Sequence, residues 1–205
     1  MADCASTATT EARSASGPQP IRAARSETTP RAMATRLFLL SLAILFGASL
    51  IGVLVVRMRA AEWPPPGSPA LPSGLWSATG VLALISAVLG LAARAARSGS
   101  TVRLRNLLTA ATALGVAFVI GQTVNWAGIA AAGFTPRQSL FVFVLYVLTF
   151  LHAVHVVAGL VPLALVTLRS GVGRYVTDAE PVELVASYWH FLGVAWIAIF
   201  VVLLI

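Results

Sequence analysis

The chain has 205 residues, of which 58% are hydrophobic and only 10% are charged. Because charged residues make up about a quarter of a typical soluble domain, this composition excludes that class and indicates a polytopic membrane protein. The formal charge of +7 comes from arginine without any lysine. Because the arginines cluster between apolar segments, we interpret them as signals that orient the protein in the membrane and not as a surface for nucleic-acid binding. A single cysteine, Cys4, excludes an internal disulfide.

Residues 1–35 are predicted to form a disordered cytoplasmic tail. They are rich in alanine, serine, threonine, proline and arginine and contain too few apolar residues to order a core. An arginine- and serine-rich start is also similar to an organelle transit peptide. The acidic residues Asp3, Glu11 and Glu27 argue against that interpretation, so we expect the segment to be retained.

Five apolar spans follow the tail, at about residues 36–56, 76–93, 107–128, 139–168 and 182–205. At ~1.5 Å per helical residue each is long enough to cross a bilayer. None carries an Asp, Glu or Arg near its middle, where a charge costs ~2.5–3.5 kcal/mol. The sequence therefore predicts an all-α domain of five transmembrane helices over residues 36–205.

The arginines predict how this domain is oriented. Eleven lie in the tail and in alternate gaps, and the other gaps hold only Arg57, Arg59 and Arg137. Since arginine is enriched on the cytoplasmic side, the N-terminus is expected in the cytoplasm and the C-terminus outside a bacterial plasma membrane. The loop after the first span carries Trp63 before a run of prolines, which we interpret as a stiff connector anchored at the membrane interface.

All three histidines lie in the last two spans. His152 and His155 are three residues apart and therefore share one helical face, while His190 follows an aromatic pair in the fifth span. Ionisable groups at membrane depth are costly and by default mark a functional or pairing site. One histidine of the fourth span and His190 could together supply the two axial ligands of a haem.

Two other chemical interpretations use the remaining polar residues. A serine hydrolase would need a nucleophile such as Ser49, but the glycine expected after it is absent. A proton path would have only the histidines with Gln122 and Asn125, which is too few groups to pump alone. The structural alternative is that these residues bond between helices, at about 0.6–2 kcal/mol each, or that each imidazole binds a backbone carbonyl.

Two motifs in the last spans resemble one family. His152-Ala-Val-His155 is followed by Gly159, and the fifth span reads Tyr188-Trp189-His190-Phe191 with Trp196 further on. In this order, in consecutive final helices, they resemble subunit III of the haem–copper terminal oxidases in its short bacterial form of five helices. The resemblance covers about residues 36–205. Further matches are Glu183, Arg57 with the Trp63-Pro-Pro loop and Gly67, and Leu114-Gly115-x-x-Phe118 with Gln122.

Three acidic positions of that family are neutral here. A glutamate of the first retained helix falls on Leu42, one in the third span on Asn125, and the final-helix aspartate on Gly193. The chain therefore resembles a divergent member, and whatever those acids do in proton supply or in packing on the core subunit does not carry over to these positions.

The resemblance implies an accessory subunit without catalytic, cofactor-binding or metal-binding residues of its own. In such oxidases subunit I binds the haem and copper that reduce oxygen to water, and subunit III packs beside it in a complex with subunit II. Subunit III holds phospholipid between its helices and supports proton uptake and turnover stability. Electrons come from cytochrome c or quinol through other subunits. Other possibilities are a stand-alone haem or quinone electron carrier and the partner of a nitric oxide reductase.

The resemblance also suggests roles for individual residues as interhelical or lipid contacts. We expect His190 to bond to another helix, with Glu183 as a possible partner. His152 and His155 are expected to pair with Asn125 or Gln122. The complete set is His152, His155, Glu183, Tyr188, Trp189, His190, Trp196, Gln122, Asn125, Arg57 and Trp63.

Overall fold

Five long helices make up the part of the chain that the structure, a computed structural model, describes: residues 29–68, 73–170, 175 and 178–204. They are α1 (Pro30–Arg59), α2 (Gly74–Arg97), α3 (Thr101–Ala131), α4 (Leu140–Ser170) and α5 (Glu180–Leu204). Each is long and apolar enough to cross a membrane, and no strand occurs among the described residues. The predicted all-α fold of five transmembrane helices is confirmed.

Most helix ends lie beyond the apolar spans, because a helix satisfies its own backbone hydrogen bonds and can continue into the headgroup region. The largest differences lie at the start of α3, which begins at Thr101 and not at Leu107, and at the start of α1, which begins at Pro30 and not at Arg36. Thr29 caps it by accepting a hydrogen bond from the Ala32 N–H at 3.2 Å, and proline suits the first helical position. The end of the predicted tail is thus helical, and residues 1–28 lie outside the described part.

The helices α2 to α5 form a four-helix ring with α1 packed on its outside. Helix α2 contacts α3 and α5, and α4 contacts the same two helices from the opposite side of the ring. Helix α1 packs mainly on α5. The centre of the ring is filled by large aliphatic residues that are completely buried, including Leu89, Leu108, Leu163 and Leu192.

Two glycines bring α3, α4 and α5 close together. A Cβ atom at Gly159 in α4 would overlap the ring of Tyr188 in α5. A Cβ atom at Gly115 in α3 would lie 2.7 Å from Leu160 Cδ2 and 3.0 Å from Trp189 Cη2. Small residues at these positions let the helices approach each other, which stabilises association in a lipid environment.

The two ends of the bundle differ in charge. One end, here called the arginine-rich end, carries Arg94, Arg97, Arg103, Arg105 and Arg169 near the ends of α2, α3 and α4. The other, the loop end, contains the loops 60–68 and 132–139. Trp63 of the first of these loops packs edge-on against Phe141 at the start of α4, with ring centroids 5.5 Å apart.

Candidate functional site

His152 lies in the middle of the bundle inside a cluster of aromatic rings. It is completely buried, and its ring centroid is 5.0 Å from that of Trp196, 5.8 Å from that of Phe118 and 6.2 Å from that of Phe46. These distances are typical of favourable aromatic pairs. Neither ring nitrogen has a hydrogen-bond partner among the described residues. Asn125 and Gln122, the expected partners of His152, do not contact it by hydrogen bonds.

His155 is bonded within its own helix. Its Nδ1 lies 2.7 Å from the backbone oxygen of Leu151, one turn earlier in α4, and its ring packs on Phe46 with centroids 5.1 Å apart. The structure thus gives His155 a backbone carbonyl in place of Asn125 or Gln122. Tyr188 of α5 donates its hydroxyl to the His155 backbone oxygen at 2.7 Å and so joins the two helices.

His190 of α5 is hydrogen-bonded to α2 and not to Glu183. Its Nδ1 bonds the hydroxyl of Ser86 in α2. Glu183 lies seven residues earlier on the same helix, about 10 Å along the axis, which is too far to reach the imidazole. Glu183 instead pairs with Arg97 of α2 at 2.7 Å, and both side chains are partly exposed.

The two tryptophans of α5 are buried in different environments. Trp196 donates its indole N–H to the hydroxyl of Thr79 in α2 at 2.9 Å. Trp189 is only 1% exposed and packs at the close approach near Gly115, and its indole nitrogen has no partner among the described residues. Together with the Ser86 bond and the Arg97 pair, the Trp196 bond gives α2 and α5 three polar contacts along their length.

Gln122 and Asn125 belong to a separate polar cluster towards the loop end. The Asn125 amide donates to Gln122 Oε1 at 2.9 Å, and Gln122 is only 2% exposed. Nearby, Trp126 donates its indole N–H to Thr149 of α4 at 3.1 Å. The two amides therefore bond to each other within α3, and in this cluster it is the neighbouring tryptophan that bonds α3 to α4.

Arg57 and Trp63 lie at the loop end, away from the histidines. Both are partly buried, and Trp63 packs on Phe141 as described above. One terminal guanidinium nitrogen of Arg57 is buried without a hydrogen-bond partner in the described part of the chain. Trp63 packs the first loop on α4, and neither residue takes part in the central cluster.

This arrangement does not suit a haem or a hydrolytic centre. His152 is enclosed by aromatic rings, whereas His190 is exposed and bonded to Ser86, so the two imidazoles do not face a common cavity. No group of three or more His, Cys, Asp or Glu residues is close enough to hold a metal ion within the described ranges. Ser49 donates to the Leu45 backbone oxygen of its own helix at 2.8 Å. Tyr188, His190, Trp196 and Glu183 make polar contacts between helices, whereas the bonds of His155 and of the Asn125–Gln122 pair stay within one helix.

Several residues of these clusters were not predicted from the sequence. Phe46 and Phe118 surround His152, and Ser86, Thr79 and Arg97 supply the α2 side of the α2–α5 contacts. One signal was present: Thr79 and Ser86 are hydroxyl residues seven apart, so they lie on one face of a mostly apolar helix. The two hydroxyl groups on that face could therefore form hydrogen bonds with ring nitrogens of a neighbouring helix.

Comparison with known proteins gives a consistent family match. The chain matches the family described as Cytochrome c oxidase subunit III over residues 32–205. It is 29% identical over 143 residues to the probable cytochrome c oxidase subunit 3 of Mycobacterium tuberculosis, which covers 69% of this chain and 70% of the relative. It is 31% identical over 168 residues to cytochrome c oxidase subunit 3 of Synechocystis sp., covering 80% of this chain and 71% of the relative. The Thermostichus vulcanus subunit 3 is 28% identical over 177 residues, which are 85% of this chain and 87% of that protein.

Proposed function

This chain belongs to the cytochrome c oxidase subunit III family, and we propose that it is the accessory, non-catalytic subunit III of a respiratory haem–copper oxidase that reduces oxygen to water. The observation that carries the proposal is the family match through all five helices. The geometry is consistent with it, because the described imidazoles contact protein groups and aromatic rings. Catalysis then resides in a partner subunit.

The partner that we propose is subunit I, which carries haem and copper, together with subunit II. The chain is a multi-pass membrane protein, and its N-terminus is proposed to face the cytoplasm because the arginine-rich end carries the excess of arginine. Helix α1 offers a large apolar outer surface for lipid or for the partner, with Leu40, Ile44 and Ile51 each more than half exposed.

Phospholipid binding and support of proton uptake belong to the same proposal. The carboxylates of the described residues are Glu62, Asp178, Glu180 and Glu183, all in loops or near a helix end. A proton path through the interior of this bundle would therefore lack acidic groups. The chain would support proton uptake indirectly, by stabilising the catalytic subunit and the lipid around it.

Purification of the tagged chain from its own membrane tests the proposed role. We expect two further subunits to co-purify in a complex that has a haem spectrum and reduces oxygen. After the complex is dissociated, we expect the haem to remain with the largest of these subunits. A Soret band from this polypeptide alone would refute the accessory role and support a haem carrier. Reduction of nitric oxide in place of oxygen would refute the oxidase assignment.

The contact between His190 and Ser86 gives a mutational test of the same role. His190→Leu removes the interhelical bond and is expected to lower retention of this subunit in detergent while the haem spectrum of the complex stays intact. Ser86→Ala should have the same effect, because it removes the other partner. Ser77→Ala is the matched control, since among the described residues the Ser77 hydroxyl bonds only the Gly74 oxygen of its own helix. Loss of the haem spectrum in His190→Leu would refute a purely structural role.

A further inference from the structure

A groove of about 750 Å3 runs along the outside of the bundle between α2 and α5. We call it the α2–α5 groove and define it by Ala83, Ala87, Gly90, Arg94, His190 and Gly193. Its volume falls within the range of about 300–1,000 Å3 that is usual for small-molecule sites. Except for Arg94 and the bonded Ser86–His190 and Thr79–Trp196 pairs, the side chains that line it are apolar.

The groove stays open because small residues line both of its walls. Gly90 of α2 and Gly193 of α5 both border it, and a Cβ atom at either position would meet no atom of the described part of the chain within 4 Å. The helices are nevertheless held at a fixed separation, by the Arg97–Glu183 pair at one end and by the bond from Trp196 to Thr79 further along. The space between them is therefore a stable feature of the fold.

A positively charged side chain, that of Arg94, lies at the end of this groove that is nearer the arginine-rich end of the bundle. Arg94 lines the groove and is exposed, and no carboxylate of the described residues pairs with it. Arg97, one turn further along α2, is already paired with Glu183. The Ser86–His190 bond lies eight residues from Arg94 along α2, about 12 Å deeper. The groove thus has a positive charge at its mouth and, below it, a largely apolar path in which the polar groups of Ser86 and His190 are bonded to each other.

We propose that the α2–α5 groove binds one acyl chain of an anionic phospholipid, with the lipid phosphate on Arg94. The positive mouth complements a phosphate, and the apolar walls complement a hydrocarbon chain. A transmembrane helix of a partner would instead cover Arg94 with apolar side chains and leave its charge without a counterion, which is unfavourable. This site rests on the proposed lipid-holding function of the subunit and gives that function a place and a lipid class.

The test is to count bound lipid by native mass spectrometry of the purified complex after incubation with phosphatidylglycerol or phosphatidylcholine. Arg94→Gln is expected to lower the preference for phosphatidylglycerol about fivefold, the effect of one arginine near the headgroups. Arg103→Gln, an exposed arginine at the same end that does not line the groove, is the control and should leave the preference unchanged.

Two filling variants test the apolar part of the groove. Gly90→Leu and Gly193→Leu place a side chain in open space and are expected to remove one bound lipid of either headgroup. Gly80→Leu is the matched control, because Gly80 also lies in α2 with no atom near its Cβ position but does not line the groove. Its lipid count should equal that of the unmodified complex.

Three outcomes would overturn the proposal: equal loss of lipid preference in Arg94→Gln and Arg103→Gln, an unchanged lipid count in both filling variants, or a polypeptide cross-linked into the groove. Failure of the proposed function gives a different result. The haem-containing subunit would then be missing from the same mass spectra, while lipid bound to this chain would still be counted.

Discussion

Gly159→Ala tests the closest packing between α4 and α5. The added methyl group would overlap the Tyr188 ring at Cε1 and lie 3.1 Å from its Cδ1. The ring has little freedom to move, because it is 8% exposed, its hydroxyl bonds the His155 backbone oxygen, and Phe38 stacks on it with centroids 6.0 Å apart. We therefore expect α4 and α5 to separate or the tyrosine to leave its rotamer.

The expected loss of stability follows from three terms. Inserting a methyl group into a packed interior costs about 1–3 kcal/mol. Displacing the Tyr188 hydroxyl removes an interhelical hydrogen bond worth about 0.6 kcal/mol. Replacing glycine by alanine in a helix returns about 0.5–1 kcal/mol. The free energy of unfolding should therefore fall by about 1–3 kcal/mol in sum.

The assay is unfolding of the purified chain in mixed micelles with increasing dodecyl sulfate, followed by tryptophan fluorescence. Gly80→Ala is the control, because its Cβ would meet no atom within 4 Å, so this variant should be equal to or slightly more stable than the original chain. Tyr188→Phe separates the terms by removing only the hydroxyl, at about 0.6 kcal/mol. Equal stability of Gly159→Ala and Gly80→Ala would refute the packing argument.

Three further substitutions probe single contacts in the same unfolding assay. His152→Phe should raise the free energy of unfolding by about 1–3 kcal/mol, because both buried ring nitrogens lack partners among the described residues. A lower stability of this variant would show that the imidazole has a partner. Glu183→Gln should lower the free energy of unfolding by less than about 1 kcal/mol, since the pair with Arg97 is partly exposed. The loss should become smaller as salt is added, and a loss that does not depend on salt would contradict an ion pair. Thr79→Val should cost about 0.6–2 kcal/mol by removing the acceptor of the Trp196 indole, and unchanged stability would show that this bond contributes nothing.

The number and type of the elements could be predicted from the sequence because the membrane makes each apolar span a helix. Hydropathy is a property of residues taken in order along the chain, so it does not depend on how the helices are arranged. It does not mark helix ends, which is why α1 begins earlier than the apolar span. The Thr29-Pro30 signal for that start was present in the sequence, outside the apolar window.

The partners of the histidines could not be predicted in the same way. Ser86 is 104 positions from His190, and their contact depends on how α2 and α5 are rotated about their axes, which no pattern within one helix specifies. Glu183 was named as a possible partner of His190, yet the two residues are seven apart on one helix, which is two turns. His152 likewise meets Phe46 and Phe118 from two other helices, and aromatic residues in apolar spans carry no signal of which side they face.

The position of α1 on the outside of the ring affects the order of assembly. Chains are synthesised from the N-terminus, so α1 enters the bilayer first, but its principal contact is α5, the final helix of the described part. Phe46 therefore remains exposed to lipid until the ribosome has delivered Phe191 and the two histidines of α4 that it packs against. A nascent chain that stops before Glu180 would leave α1 inserted in the membrane without its docking surface.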